Sequence, residues 1–207
     1  MRELFTRARK GHVYGGFATL EADLIRTLVS QVIELVHDGS PAPSGGDPLA
    51  ALLEMDGPVD APEDPVLARL LPDAYREDAE AAGEFRRFTE RGLRDQKASN
   101  GLVVLETLRA AGLPDEVADP SDADAGPDAG SDVGPGDTVE VDLSRDAVQA
   151  WLRSLTDVRL ALATRLGVED DDEDEWAALD EDDPRSYLHD VYDWLGYVQE
   201  SLVRAAS

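Results

Sequence analysis

The residue types that most often carry out chemistry are either scarce or poorly spaced in this chain. The three histidines, His12, His37 and His189, lie far apart, and none belongs to a metal-binding pattern such as His-Glu-x-x-His. His189 and Asp193 are one helical turn apart, a spacing more typical of a helix-surface hydrogen bond than of catalysis. The absence of cysteine excludes disulfides, thiolate catalysis and cysteine-bound zinc. We therefore expect a protein that is not an enzyme, with no catalytic residue, cofactor or metal ion.

The densest group of carboxylates is the run 169–175, in which every residue is Asp or Glu. A calcium loop alternates its ligands and contains a glycine turn, and this run lacks both features. A solvated, self-repelling loop is therefore expected. Trp176 follows directly and is expected to plug the helical bundle; the alternative is an exposed anchor for a partner.

Positive charge is concentrated in two places on a chain whose formal charge is −26. One lies within the first ten residues and the other between residues 86 and 97. Together they define a candidate basic patch for a partner protein or, more weakly, for DNA. Its residues are Arg7, Arg9, Lys10, Arg86, Arg87, Arg91 and Arg94. The alternative, which we favour, is that these side chains form salt bridges with the protein's own carboxylates, as the spacing of Glu90 and Arg94 allows.

Arg159 is a separate candidate because it falls on the apolar face of a predicted helix. The favoured interpretation is a snorkelling side chain whose stem covers apolar surface. The alternative is a buried ion pair between Arg159 and a carboxylate, which would be a structural or switching element.

Composition narrows the classes of partner. A charge of −26 repels the phosphate backbone, so broad nucleic-acid binding is not expected. No apolar run approaches the roughly 20 residues of a membrane span, and the N terminus lacks the apolar segment of a secretory signal. We therefore expect a cytoplasmic protein with no membrane contact.

The elements that must position these residues are mainly helices. The clearest covers residues 144–167, with Ser144 as its N-cap, Gly167 as its C′ residue and apolar residues at spacings of three and four. Further helices are expected over 20–37 and from Asp183 to about residue 205. The last of these should pair antiparallel with the central helix.

The remaining segments complete a single domain over residues 1–207. Short helices are expected after Asp47 and Asp64, and a longer helical region over 74–112 is expected to break near Gly92. A hairpin over 3–17 should pair with a strand at 138–143. Two acidic segments, an insert at 113–137 and a loop at 169–183, are expected to be disordered and flexible, respectively. The predicted fold is mainly α, a bundle of about five or six helices with a small antiparallel β element.

Four segments carry a resemblance to a known family. They are LLPDAYRED (70–78), EFRRFTERGLR (84–94), WLRSLTDVRLALATRLG (151–167) and YDWLGYVQESLVRA (192–205). In these the chain resembles the AosR-type actinobacterial family of oxidative-stress transcriptional regulators, long known only as a domain of unknown function. The resemblance implies a regulator that works through a protein partner, a sigma factor or RNA polymerase. Redox sensing as described for the type member of that family relies on a cysteine pair, so this function cannot be transferred to a chain without cysteine.

A second function class stays open at this point. The alternative to the regulator is a structural or adaptor protein, in the form of a homodimer, with no direct role in transcription. A continuous positive patch favours the regulator, whereas a two-fold apolar interface of more than about 1,000 Å² favours the adaptor.

Overall fold

A computed structural model describes residues 4–8, 11–38, 60–114, 138–168 and 183–207. Five helices and three strands form in this part of the chain. In chain order they are β1 (Phe5–Arg7), β2 (Val13–Ala18), α1 (Thr19–Asp38), α2 (Pro65–Leu70), α3 (Ala79–Ala110), β3 (Thr138–Leu143), α4 (Arg145–Leu166) and α5 (Pro184–Ala206). The mainly α fold with a small antiparallel sheet is confirmed.

Several predictions fall on residues outside those ranges. They concern the short helix after Asp47, nearly all of the insert at 113–137, the acidic loop with Trp176, and the basic residues Arg9 and Lys10. The single-domain organisation also stays a prediction.

The sheet has the strand order β1-β2-β3, and both pairs are antiparallel. The expected pairing of the downstream strand with the hairpin is confirmed, with Val13 opposite Leu143 and Gly15 opposite Val141. Alternate residues of β3 are buried, which gives the sheet one dry face and one wet face. Gly15 is required by its neighbour across the sheet, because a Cβ atom there would lie 2.4 Å from the Phe5 ring.

The dry face of the sheet packs on an aromatic cluster centred on Trp151 of α4. The Phe17 ring stacks on Trp151 at a centroid distance of 5.9 Å, and the Phe5 ring meets it edge-on at 6.1 Å. The indole Nε1 donates a hydrogen bond of 2.8 Å to Thr107 Oγ1 on α3, which satisfies its only polar group. The cluster therefore ties the sheet, α3 and α4 together.

Helix α4 contacts each of the other four described helices. The Ser144 hydroxyl accepts a hydrogen bond from the Ala147 amide, and Gly167 ends the helix in the left-handed conformation with φ at 69°. The predicted antiparallel pairing with α5 is confirmed: Arg159 lies beside Tyr192, while Leu152, at an earlier position on α4, is reached by Gln199 of α5.

The predicted break near Gly92 is wrong. Helix α3 runs without interruption for 32 residues, or about 48 Å. A glycine inside a helix costs only about 1 kcal/mol relative to alanine. Tertiary contacts on both sides of Gly92 outweigh that cost, because Arg86 before it donates to the carbonyl of Leu71 and Arg94 after it donates to the carbonyl of Val36.

Candidate partner-binding surface

The four predicted arginines of α3 divide between two faces of the helix. Arg86 and Arg94 are buried, with 6% and 4% of their surface exposed, and Glu90 lies between them at four-residue spacing. Arg91 is exposed and Arg87 is half-buried. Each step along an α-helix turns about 100°, so neighbouring positions such as 86 and 87 face different directions. The helical period therefore separates one pair of arginines from the other.

Arg94 connects Glu90 to the end of α1. Its Nε and Nη2 atoms donate to Glu90 Oε1 at 2.8 and 2.6 Å, and its Nη1 donates to the carbonyl of Val36 at 2.8 Å. Val36 lies in the last turn of α1, where carbonyl groups have no partner within their own helix. A charged donor is favoured at this negative end of the helix dipole. Arg94 therefore acts as a buried cap on α1.

Arg86 makes the equivalent connection to the end of α2. Its Nη1 donates to Glu90 Oε2 at 3.0 Å and to the carbonyl of Leu71 at 3.2 Å, and its Nη2 is ion-paired with Asp73. Burial disfavours the charged guanidinium, but the hydrogen bonds to Glu90 and Asp73 outweigh burial and raise the pKa of Arg86. Arg86, Glu90 and Arg94 thus form a buried ladder of salt bridges, in which each charged group has its partner inside the protein.

The candidate basic patch is corrected accordingly. Arg86 and Arg94 are not accessible to a partner, because they are buried in internal salt bridges. Arg7 is exposed, but it lies on β1, which packs on β2 and α5. Of the arginines predicted on α3, Arg87 and Arg91 have no carboxylate partner within the described ranges.

Exposed aromatic side chains lie beside these two arginines. Phe88 is 67% exposed, Tyr75 51% and Phe85 45%. The rings of Tyr75 and Phe85 meet edge-on at 6.0 Å, and the Arg87 guanidinium lies 4.4 Å above the Phe88 ring. We call Tyr75, Phe85, Arg87, Phe88 and Arg91 the aromatic–arginine surface. Large aromatic rings and arginine are the residues most often found at the energetic centre of protein interfaces.

The arrangement of Arg87 adds to this surface. Its Nε atom is buried and has no hydrogen-bond partner among the described atoms, while the rest of its guanidinium lies over Phe88. A cation held over a ring gains from the ring quadrupole and stays positioned at the surface. Phe88 and Arg87 therefore hold an apolar ring and a positive charge side by side at the surface.

Among the described residues, Arg159 has no carboxylate partner and so does not form the ion pair that was the alternative prediction. Its Nη1 donates to Gln199 Oε1 at 2.9 Å, and its guanidinium lies 4.8 Å from the centre of the Tyr192 ring and against Gly196. None of these partners is a carboxylate. Arg159 is half-buried and joins α4 to α5 through an amide and a ring.

Sequence reasoning did not predict the buried charged pair that joins α3 to α4. Lys97 Nζ on α3 lies 2.6 Å from Asp157 Oδ1 on α4, and both side chains are largely buried. Burial raises the pKa of Asp157, and the hydrogen bond and charge of Lys97 partly oppose that rise. The two residues are 60 positions apart, so no local pattern links them. The exposed aromatic residues had a signal in the sequence, since Phe85 and Phe88 are three positions apart and therefore lie on one side of the helix.

The histidines have separate surroundings. His12 is 2.7 Å from Asp142, His37 is 2.9 Å from the carbonyl of Ile33, and His189 is 3.6 Å from Asp193. Across the described ranges, no three His, Asp or Glu side chains are grouped so that they could hold a metal ion. Nor does any helix in that part of the chain combine the length and apolar character needed to cross a membrane.

Comparison with known proteins gives one family and one curated relative. The family described as "Domain of unknown function (DUF2017)" matches residues 1–206. A protein of Mycobacterium leprae (strain TN), provisionally named oxidative stress regulator AosR, is 29% identical over 189 residues, which cover 89% of this chain and 78% of the relative. No solved structure matches the chain.

Proposed function

The chain belongs to the DUF2017 family, and we propose that it is a non-enzymatic regulator that binds a protein partner through the aromatic–arginine surface. The relative of Mycobacterium leprae named as an oxidative stress regulator supports a role in regulating the response to oxidative stress. Because the chain has no cysteine, such a role would require a signal other than oxidation of its own thiols.

The observation that carries the proposal is the exposure of Phe88, Tyr75 and Phe85 beside two arginines. Burying an aromatic ring yields far more free energy than burying a small side chain, and exposed rings in one place mark a contact site. The arginines select a partner whose contact segment has acidic side chains next to an apolar anchor. Following the family resemblance, we assign that segment to a sigma factor or to RNA polymerase.

DNA contact has at most a minor part in this proposal. Arg87 and Arg91 supply two positive charges on a chain of −26, whereas DNA-binding surfaces neutralise several phosphates. The proposal includes no catalytic role, since each of the three histidines faces a different neighbour in the part of the chain that the structure describes.

The test is direct binding between the full chain and purified RNA polymerase core, holoenzyme and individual sigma factors of the native organism. Phe88→Ala should weaken the complex about 30-fold or more, as expected for an interface anchor. Leu102→Ala is the matched control, because Leu102 is 55% exposed on the same helix but lies outside the surface. Phe88 is exposed, so circular dichroism should show unchanged folding.

Three results would contradict the proposal. Equal binding by Phe88→Ala and Leu102→Ala would exclude the aromatic–arginine surface. Absence of binding to every sigma factor and to RNA polymerase would exclude the assigned partner. Self-association that Phe88→Ala abolishes, measured by sedimentation velocity, would assign the surface to a second copy of the chain.

A charge-reversal variant tests the contribution of the arginines to binding apart from that of the aromatic rings. Arg91→Glu should slow association with an acidic partner, and the effect should decrease as salt increases. Arg145→Glu, at an exposed position of α4, makes the same charge change away from the surface and should leave the association rate unchanged. Equal rates for the two variants would exclude a role for Arg91.

A further inference from the structure

A second feature lies between α3 and α4, apart from the aromatic–arginine surface. A groove of about 470 Å³ lies between the two helices. Its volume is within the size range of small-molecule sites. Leu152 gives it an apolar wall, and the polar side chains that line it come from both helices. Those used below are Gln96, Lys97 and Asn100 on α3 and Arg153 and Asp157 on α4.

The Lys97–Asp157 pair gives the groove a fixed polar wall. The Lys97 side chain is 19% exposed and that of Asp157 is 8% exposed, so the 2.6 Å contact between them is shielded from water. An ammonium group has three hydrogen-bond donors, and Asp157 accepts one of them. Lys97 therefore keeps donor capacity next to the groove while its position is held by Asp157.

The charge of the lining is opposite in sign to that of the whole chain. Lys97 and Arg153 contribute two positive charges and Asp157 one negative charge, which gives a net charge of 2 − 1 = +1. Arg153 is exposed, and no described carboxylate pairs with it. The guanidinium of Arg153 and the remaining donors of the Lys97 ammonium therefore face the same groove and suit an anion. The planar guanidinium of arginine matches the geometry of a carboxylate.

We propose that the groove between α3 and α4 binds a small organic carboxylate. The carboxylate would bind Arg153 in a bidentate manner, with Lys97 as a second donor. Gln96 and Asn100 would hydrogen-bond polar groups on the rest of the ligand, whose apolar part would lie on Leu152. The proposal does not depend on the partner surface.

The test is a titration of the isotopically labelled full chain followed by nuclear magnetic resonance. The probes are succinate, glutamate, citrate and benzoate, each with its amide analogue where one exists, and inorganic phosphate as a separate anion. At least one carboxylate should bind with a dissociation constant of about 1 mM or lower and shift the side-chain signals of Arg153 Nε and the Asn100 amide. Its amide analogue should not.

Two variants with the same charge change make the result specific. Arg153→Gln should weaken binding about 10-fold or more, because it removes a charge-assisted bidentate contact. Arg145→Gln, at an exposed position two turns earlier on α4, should bind as the unaltered chain does. Lys97 is not altered, since its loss would leave Asp157 buried without a partner.

Three outcomes would overturn the proposal. The first is that no carboxylate probe binds with a dissociation constant of about 1 mM or lower. The second is that Arg153→Gln and Arg145→Gln bind equally well. The third is that phosphate binds as tightly as every carboxylate, which would show attraction of any anion instead of a carboxylate site.

Discussion

Two glycines on α3 allow a direct test of how that helix is built. Gly92 lies in the region where the sequence predicted a break, and an added Cβ atom there would have nothing within 4 Å. Gly101 lies at the crossing of α3 and α1, where an added Cβ atom would be 2.8 Å from two side-chain atoms of Ile33 and 3.2 Å from Val29. The substitutions Gly92→Ala and Gly101→Ala make the same chemical change in these two environments.

The expected free energies have opposite signs. In the interior of a helix, replacing glycine by alanine stabilises by about 0.5–1 kcal/mol, and Gly92→Ala should show this gain alone. Gly101→Ala has the same gain but must displace Ile33 against the buried Val29, and overpacking of this kind costs about 1–3 kcal/mol. The gain in stability from replacing glycine by alanine inside a helix is common to both variants. The difference between their free energies of unfolding should therefore be about 1–3 kcal/mol, in favour of Gly92→Ala.

The assay is urea unfolding followed by circular dichroism and by the fluorescence of the three tryptophans, of which Trp151 lies in the core. With a slope of about 2 kcal/mol per molar urea, the two midpoints should differ by about 0.5–1.5 M. A loss of stability in Gly92→Ala would mean that α3 is not a continuous helix at that position. Equal midpoints for the two variants would mean that α1 and α3 do not approach each other closely at Gly101.

Two further predictions concern buried charge. Glu90→Ala should lower the free energy of unfolding by about 3–5 kcal/mol, because it leaves the buried Arg94 without a carboxylate partner and removes one of the two carboxylates that pair with Arg86. Glu84→Ala, on the exposed face of the same helix, should change the free energy of unfolding by less than about 0.5 kcal/mol in the same urea assay. Similar losses for both variants would refute the buried ladder. Burial raises the pKa of Asp157 above the ordinary value of 3.8, although Lys97 partly opposes the rise. The folded state therefore binds this proton more readily than the unfolded state, so the contribution of Asp157 to stability is complete below pH 3.8 and is lost as the pH rises through the folded pKa. The stability of the unaltered chain minus that of Asp157→Asn should fall over this window in unfolding measured at a series of pH values, and a constant or rising difference would contradict the assignment.

Local rules were sufficient for most of the secondary structure. Ser144 and Gly167 define the ends of α4 because a hydroxyl cap and a left-handed glycine act within one turn of the chain. The alternation of β3 identified it as a half-buried strand, and the same pattern led correctly to its pairing with the hairpin. The apolar stripes of α4 and α5 likewise predicted that these two helices pack together.

Only the tertiary structure decided which charged side chains are accessible. Arg91 and Arg94 are the same residue type on the same helix, yet Arg94 is buried because the end of α1, 58 residues away, supplies a carbonyl that needs a donor. Contacts between distant elements likewise keep α3 continuous at Gly92 and pair Lys97 with Asp157. Propensity and periodicity describe one element at a time, whereas the burial of a charge depends on which distant atoms surround it. The sequence therefore determined where the helices and strands form, and the packing of those elements determined which arginines and aromatic rings can meet a partner.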